Sequence, residues 1–528
     1  MTASIPFSLA QTLARSHRLT VVLLLGFASG LPLSLTGQAL QAWMTGAGLS
    51  LATIGFLTLV GLPYTFKFLW APLIDRFDLP LFGRRRGWIA LTQALLAGAL
   101  WALSTLDPAT QLGAFAAVAL GVAFLSATQD AAYDAYRADL LPPLERALGA
   151  SLNTLGYRLA MIVSGGLAFI WVDPVQGGGW SWPEVYRLMA GLMAGTAVFT
   201  LAASPRLQGA LAPRTEAGRD LRGFLAVVVA VALGVLVTQQ LLDPLLRAAA
   251  APLWEGSALK PDLQKKWTDL VLLLVGLCLC VPLAAWTARK ARFDTLLGGL
   301  RDYLAQPGAG WMLVLIVFYK LGDAFAVSLL TPFLLQGLHF TPAEVGVANK
   351  VFGLWLTIGG ALLGGVLMLR LGLWRSLVLF AVLQALSNLG YWWLAEHGAG
   401  RLGSLTVPAF DWGFVKLAQA TTVDGGLLGV VAFDNLAGGM GTAAFLAFLM
   451  ALCQKAYSAT QFALLSALAS VGRVWVGPVA GVLAEQIGWA DFFLVSLVFA
   501  VPALILLWTQ RAPIRRLDAP AGAAAFDD

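Results

Sequence analysis

Apolar residues run along this chain in long blocks separated by short polar turns. The blocks fall at about 19–44, 51–73, 88–106, 111–136, 147–172 and 185–203. They continue at 223–242 and 268–287, then at 310–338, 342–369, 376–395, 431–452, 461–485 and 490–509. Most approach the roughly 20 residues an α-helix needs to cross a bilayer. The pattern predicts an all-α polytopic membrane protein of fourteen transmembrane helices: two six-helix bundles with two helices inserted between them. The expected division is a segment 1–18, a bundle 19–205, a linker 206–309 holding the extra pair, a bundle 310–510 and a tail 511–528. Met1 to Arg18 leads into the first block without a small-residue cleavage site, so that helix is expected to be retained.

Composition agrees with the pattern. Of 528 residues, 59% are hydrophobic and 12% charged, and mean hydropathy is +0.78. A soluble domain carries about twice that charge. The net charge of +6 is not spread evenly. Arginines gather after the second, fourth, sixth, eighth and twelfth blocks of the two bundles: Arg76 and Arg84 to Arg86, Arg137 and Arg146, Arg206 to Arg222, Arg370 and Arg375, and Arg511 to Arg516. They share one side if both termini are cytoplasmic, so they report topology rather than nucleic-acid binding. The stretch from Glu396 to Gly429 is then a long loop on the opposite side, with room for a short surface helix.

The sequence carries no catalytic constellation. Its three cysteines and three histidines lack metal-ligand or disulfide spacing, and no phosphate-binding loop is present. No enzyme activity, metal or cofactor is expected.

Charges inside the blocks carry the functional signal. Lys67 lies in block 2, Asp130 and Asp134 in block 4 and Arg158 in block 5 of the first bundle. Lys320 and Asp323 lie in block 1, Lys350 in block 2 and Arg473 in block 5 of the second bundle. Blocks 3 and 6 of either bundle, and the inserted pair, have none in their cores. An ionisable side chain facing lipid is costly, so such groups face an interior path. Asp130 and Asp134 are one helical turn apart and share a face. Lys320 and Asp323 are three apart and could equally satisfy each other as a structural pair.

The two sets repeat. Leu40 to Gly55 aligns with Thr331 to Gly346, glycine on glycine at Gly46/Gly337 and Gly55/Gly346. Arg158 followed by Gly166 matches Arg473 followed by Gly481 at the same spacing. After block 2, WAPLIDRFDLPLFGRRRGW holds Asp75, Arg76, Arg84 and Arg85. It resembles the G-x-L-x-D-R-x-G-R-R loop of the major facilitator superfamily. It departs by five extra residues between DR and GRR, and by Ala71 in place of the first glycine. That resemblance implies a gating role for these four residues.

SATQDAAYDAYRADLLP, GYRLAMIVSGG and LAGGMGTAAFLAFLMALCQKAYSATQFALLSALASVGRVWVGPVAG look like the AmpG muropeptide permeases. The TQD and FGRRxxW patterns are shared with eukaryotic acetyl-CoA transporters, and the general motifs also permit a drug or siderophore exporter. The resemblance implies a monomeric, multi-pass protein of the bacterial inner membrane. It implies import of N-acetylglucosaminyl-1,6-anhydro-N-acetylmuramyl peptides, driven by protons, for cell-wall recycling and β-lactamase induction. Asp130, Asp134 and Asp323 are the expected proton-coupling residues. Lys67, Gln129, Tyr133, Tyr157, Arg158, Lys320 and Arg473 are the expected substrate contacts: cations for carboxylates and aromatic rings, Trp43 included, for sugars. Asp130 is expected to carry the proton, and Asp134 to join the helix-end charges with Arg137.

Overall fold

The computed structural model describes residues 9–70, 74, 83–141, 146–175, 178–206, 217–255, 257, 259–291, 308–411, 416–417, 419–452 and 458–517. Every predicted block is helical, because in hydrocarbon each backbone N–H and C=O must find its partner within the segment. Among the described residues eleven helices are long and apolar enough to cross a membrane; Leu51–Phe66 is shorter. Two more blocks, Arg84–Leu103 and Ser458–Ile487, are also helical.

In the first half, block 1 forms α1 (Leu9–Leu35) and α2 (Gln38–Gly46). Block 2 forms α3 (Leu51–Leu57) and α4 (Leu62–Phe66), with 3-10 turns at Thr58–Gly61 and Lys67–Leu69. α5 (Arg84–Leu103) and α6 (Leu112–Leu140) follow. Block 5 is α7 (Arg146–Ile162), a π-turn at Val163–Leu167 and α8 (Ala168–Val172), and block 6 is α9 (Trp182–Ala203). α1 runs on through Pro32, and the break between α1 and α2 falls at Thr36 and Gly37. Gly26 and Gly30 let α1 lie against α7: a Cβ on Gly30 would sit 2.9 Å from the Tyr157 Cα.

The inserted pair is α10 (Ala217–Val237), a π-turn, α11 (Asp243–Trp254) and α12 (Pro261–Lys290). It is longer than hydropathy suggests, and it does contain charge. Arg247 lies 2.6 Å from Asp243 and 2.7 Å from Asp269, joining the two helices. The pair packs outside blocks 2 and 11. Leu263 is buried with Ala52 and Val482, and Ala288 packs near Leu69. Lys266 Nζ donates to Thr53 Oγ1 and Trp267 Nε1 to Gln486 Oε1, both at 2.9 Å. Its outer face, with Val229, Leu236, Leu274 and Val281, is exposed and suits lipid contact.

In the second half, block 7 is broken into α13 (Ala309–Tyr319), α14 (Leu321–Val327), α15 (Leu330–Pro332) and a π-turn at Phe333–Gly337. Block 8 is α16 (Pro342–Gly346), a π-turn at Val347–Phe352 and α17 (Gly353–Leu371), and block 9 is α18 (Leu373–His397). The long connection then carries two small antiparallel ladders rather than a surface helix: β1 (Ser404–Val407) with β4 (Thr421–Asp424), and β2 (Phe410–Asp411) with β3 (Lys416–Leu417). Their β-branched SLTV and TTVD sequences favour strand over helix. α19 (Gly425–Leu452), α20 (Ser458–Ile487), α21 (Trp489–Thr509) and α22 (Arg511–Arg516) complete the chain.

The buried core is shared at one end and divided at the other. One large cluster joins Leu35, Trp43 and Phe169 of the first half to Phe333, Val345 and Ala480 of the second. This is the end that carries the connections poor in arginine. Toward the arginine-rich end two separate clusters remain. Val21, Trp70, Tyr133 and Tyr136 belong to the first half, and Met312, Trp374, Phe445 and Leu507 to the second. The halves therefore meet at the arginine-poor end.

Candidate functional site

Hydrogen bonds between the halves lie at that shared end. Gln41 Nε2 donates to the Ser328 carbonyl at 2.9 Å, and Gln336 Nε2 to the Thr45 carbonyl at 3.1 Å. Glu485 Oε2 accepts from the Ala52 N–H and Asp173 Oδ2 from the Ala343 N–H, both at 3.1 Å. Asp173 is buried, and it stands at the N-terminus of α16, where a carboxylate is favoured. Glycine permits this closeness. A Cβ on Gly55 would lie 2.9 Å from the Gly481 Cα, and one on Gly346 would lie 2.8 Å from the Gly166 oxygen.

Each half also gathers polar groups inside its own bundle. In the first half the Ser29 hydroxyl of α1 donates to Asp130 Oδ1 of α6. Lys67 sits in the 3-10 turn that follows α4, near enough to Asp130 for its charge to act on the carboxylate. Tyr157 of α7 lies within the fields of Asp130, Tyr64 and Arg158. Gln129 is buried, and among the described residues neither its Oε1 nor its Nε2 has a partner; Tyr64 Oη and Ser126 Oγ are likewise unpartnered. Tyr64 Oη points toward Ser126 and Thr36 without forming a well-aligned hydrogen bond to either. Buried polar groups in this state call for water or a ligand.

The second half holds a comparable cluster. Lys320 occupies the break between α13 and α14, its Nζ 3.7 Å from Asp323 Oδ2 and 3.4 Å from Thr442 Oγ1. Asp434 of α19 accepts from Ser387 Oγ at 2.9 Å and from Tyr391 Oη at 3.0 Å, both on α18. The charges of Asp323 and Lys320 reach it. Asn388 is fully buried, and its amide is unpartnered among the described residues.

The predicted site residues thus divide. Asp130, Lys67 and Tyr157 come together in the first half, with Gln129 and Arg158 beside them along the chain, and Lys320 and Asp323 pair in the second. Asp134 is exposed and pairs with Arg137 at 3.2 Å, one turn from Asp130 and near enough for its charge to act on that carboxylate. Tyr133 is 1% exposed, and its hydroxyl donates to the Val22 carbonyl at 2.8 Å. Its ring therefore packs between α1 and α6 instead of standing free to stack. Trp43 packs likewise, against Phe115 and Tyr186. Of the expected gate, Arg85 Nε lies 3.2 Å from Asp139 Oδ2, joining α5 to the end of α6. Asp75 and Arg76, and the side chains of Arg84, Lys350 and Arg473, lie outside the described residues.

Ser29, Tyr64, Asp173 and Asp434 escaped the sequence reading. The first two are neutral and unremarkable in any apolar helix. Asp434 is a lone acid in an apolar run, the same signal that marked Asp130. Hydropathy starts that helix at 431, which makes Asp434 a helix-end charge, whereas α19 starts at Gly425 and places Asp434 in its third turn.

Comparisons with known proteins follow the same lines. The family model described as Major Facilitator Superfamily matches residues 22–415. The chain is 43% identical to the anhydromuropeptide permease of Escherichia coli (strain K12) over 494 residues, 94% of this chain and 80% of that one. A POT family transporter solved in complex with 5-aminolevulinic acid superposes with a TM-score of 0.62 at 14% identity, covering 95% of this chain and 96% of the other. A bacterial homologue of the human lysosomal transporter Spinster, solved in an inward-facing and unoccupied conformation, gives 0.61 at 12% identity, covering 96% and 99%.

Proposed function

The chain belongs to the major facilitator superfamily, among its AmpG-type permeases, and from that premise we propose that it imports N-acetylglucosaminyl-1,6-anhydro-N-acetylmuramyl peptides into the cytoplasm with protons. The observation that carries this reading is the 43% identity to an anhydromuropeptide permease across 94% of the chain, both halves and the inserted pair included. The sequence pattern supports it. Lys67 and Arg158 from one half, and Lys320 and Arg473 from the other, are assigned as cations for the substrate's carboxylates, the arginines by paired N–H donors. The unpartnered amide of Gln129 offers a donor and an acceptor to sugar hydroxyls or peptide groups. Asp130 is the carboxylate we assign to the proton in the first half. Asp323 serves by pairing with Lys320, and Asp134 by holding the helix end with Arg137. Asp75, Arg76, Arg84 and Arg85 gate the arginine-rich end.

With both termini in the cytoplasm, the closed end faces the periplasm and the divided core faces inward, a cytoplasm-open state. The protein then works as a monomer in the inner membrane, and its product feeds cell-wall recycling and β-lactamase induction.

Uptake of radiolabelled anhydromuropeptide into right-side-out vesicles tests the reading. Accumulation should exceed equilibrium, collapse with an uncoupler and persist without ATP. Undiminished accumulation in uncoupled, ATP-loaded vesicles would overturn the proton drive. Absence of any uptake, alongside export from the same vesicles, would overturn the substrate direction.

A further inference from the structure

Asp434 is a half-buried carboxylate with no ion pair among the described residues, and its two hydroxyl partners, Ser387 and Tyr391, are fully buried. Both of its oxygens meet neutral hydroxyls, Ser387 Oγ at 2.9 Å and Tyr391 Oη at 3.0 Å. Ser387 Oγ also lies 2.8 Å from the Gln384 carbonyl. A serine hydroxyl has one proton to give. If it goes to Asp434, the Gln384 contact is unmade. If it goes to Gln384, then Ser387 Oγ and Asp434 Oδ1 face each other as two acceptors. The second arrangement closes only when Asp434 itself carries a proton and donates it to Ser387 Oγ. Tyr391 donates to Oδ2 in either case. The cluster therefore holds the neutral and the ionised carboxyl alike without stranding a polar atom.

The surrounding charge points the same way. Two carboxylates, Asp323 and Asp434, face one ammonium, Lys320, and that ammonium stands 3.7 Å from Asp323. Among the described residues the hydrogen-bonding neighbours of this cluster are neutral: Tyr391 and Ser387 on α18, which meet Asp434, and Thr442 on α19, which meets Lys320. A buried charge without compensation is costly, so the trio favours one additional proton.

We propose that Asp434 is a proton-carrying residue of the C-terminal half, separate from Asp130, and that a substrate carboxylate drawn to Lys320 sets when it loads. This rests on the importer reading above. An anion on Lys320 withdraws the ammonium's field from Asp434 and adds negative charge beside it, so the preference for that proton rises and a proton taken from water offsets the added charge. By linkage, the proton strengthens anion binding by the same factor. The proton returns to water when the anion leaves. The two acids stand at different depths. Asp434 is nine residues, about 14 Å, into α19 from the arginine-poor end, and Asp130 is eighteen residues, about 27 Å, into α6 from that end. One site per half predicts two coupled protons for each substrate.

Infrared difference spectroscopy on the full chain in lipid, without substrate, reads the site directly. The protonated-carboxyl C=O band should titrate in the wild type. Asp434→Asn should remove one component and Asp130→Asn a different one, and Asp434→Glu should shift the component in frequency. Ser387→Ala, which keeps the carboxyl, should move the titration of the same component. In proteoliposomes Asp434→Asn should keep counterflow of labelled anhydromuropeptide yet lose at least about tenfold in pH-driven accumulation, with Glu restoring it. An Asp434→Asn spectrum identical to wild type at every pH overturns the proposal. So does an unchanged titration in Ser387→Ala, which remains informative if the Asn variant does not fold. A wild type that shows the Asp434 band but moves no anhydromuropeptide overturns the importer reading instead.

Discussion

Gly55 of the first half lies against Gly481 of the second, so close that a Cβ on Gly55 would stand 2.9 Å from the Gly481 Cα. Its internal-repeat counterpart, Gly346, lies against Gly166, the repeat counterpart of Gly481; there a Cβ would stand 2.8 Å from the Gly166 oxygen. The two repeats seen along the chain are therefore the two sides of two equivalent seams, block 2 on block 11 and block 8 on block 5.

Gly55→Val and Gly346→Val should each push the closed end open. Overpacking such a contact costs about 1–3 kcal/mol, a shift of about 5- to 150-fold in the balance of states. Cysteines placed in the connection at 47–49 should become more reactive toward a membrane-impermeant thiol reagent. Unchanged reactivity in both variants would show that these seams do not control the closure.

Asp173→Ala should loosen the same end by a different route. It strands the Ala343 N–H, whose bond at 3.1 Å joins the halves, at a cost of about 1–3 kcal/mol. The thiol assay should respond as for the glycines, and Asp173→Asn, which keeps an acceptor oxygen, should respond less. Equal behaviour of Ala and Asn would remove this bond from the account.

Asp130→Asn mimics the neutral acid at nearly constant volume and keeps an acceptor for Ser29. Exchange of labelled substrate should persist while uphill accumulation in a pH gradient is lost. Asp134→Asn removes the exposed pair with Arg137 and should lower accumulation by less than about fivefold, the scale of a surface ion pair. Wild-type accumulation by Asp130→Asn moves the proton of the first half elsewhere.

Arg158→Leu and Arg473→Leu should each weaken uptake by about tenfold or more, the loss of one charge-assisted contact, with the amount of folded protein nearly unchanged. Normal uptake in both would exclude them from substrate binding.

Arg247→Leu removes the bridge between Asp243 and Asp269 in the inserted pair. The three side chains are partly exposed, so about 1 kcal/mol is at stake. The melting midpoint should fall by about 2 °C, and adding Asp243→Asn and Asp269→Asn should recover it. Uptake should stay within about twofold of wild type. A large loss of transport with unchanged melting would give the pair a direct part in the cycle.

Fourteen helical blocks, the repeat and the interior acid Asp130 were all legible in the residues. Each depends on local chemistry: lipid tolerates only a backbone bonded within its own segment, and an acid in an apolar run stands out whatever its neighbours. What the chain pairs across space was not legible. Nothing near Gly55 in sequence names Gly481 as its partner. Nothing around Tyr133 says that its ring is packed under Val22 while the neighbouring Gln129 stays without a partner. Asp434 needed a tertiary neighbour, Ser387, with one proton between two acceptors before it read as more than a helix-end charge. Hydropathy is a property of a residue and its near neighbours. Which faces of two helices touch is decided by close packing among segments hundreds of residues apart, and only the folded chain brings those segments together.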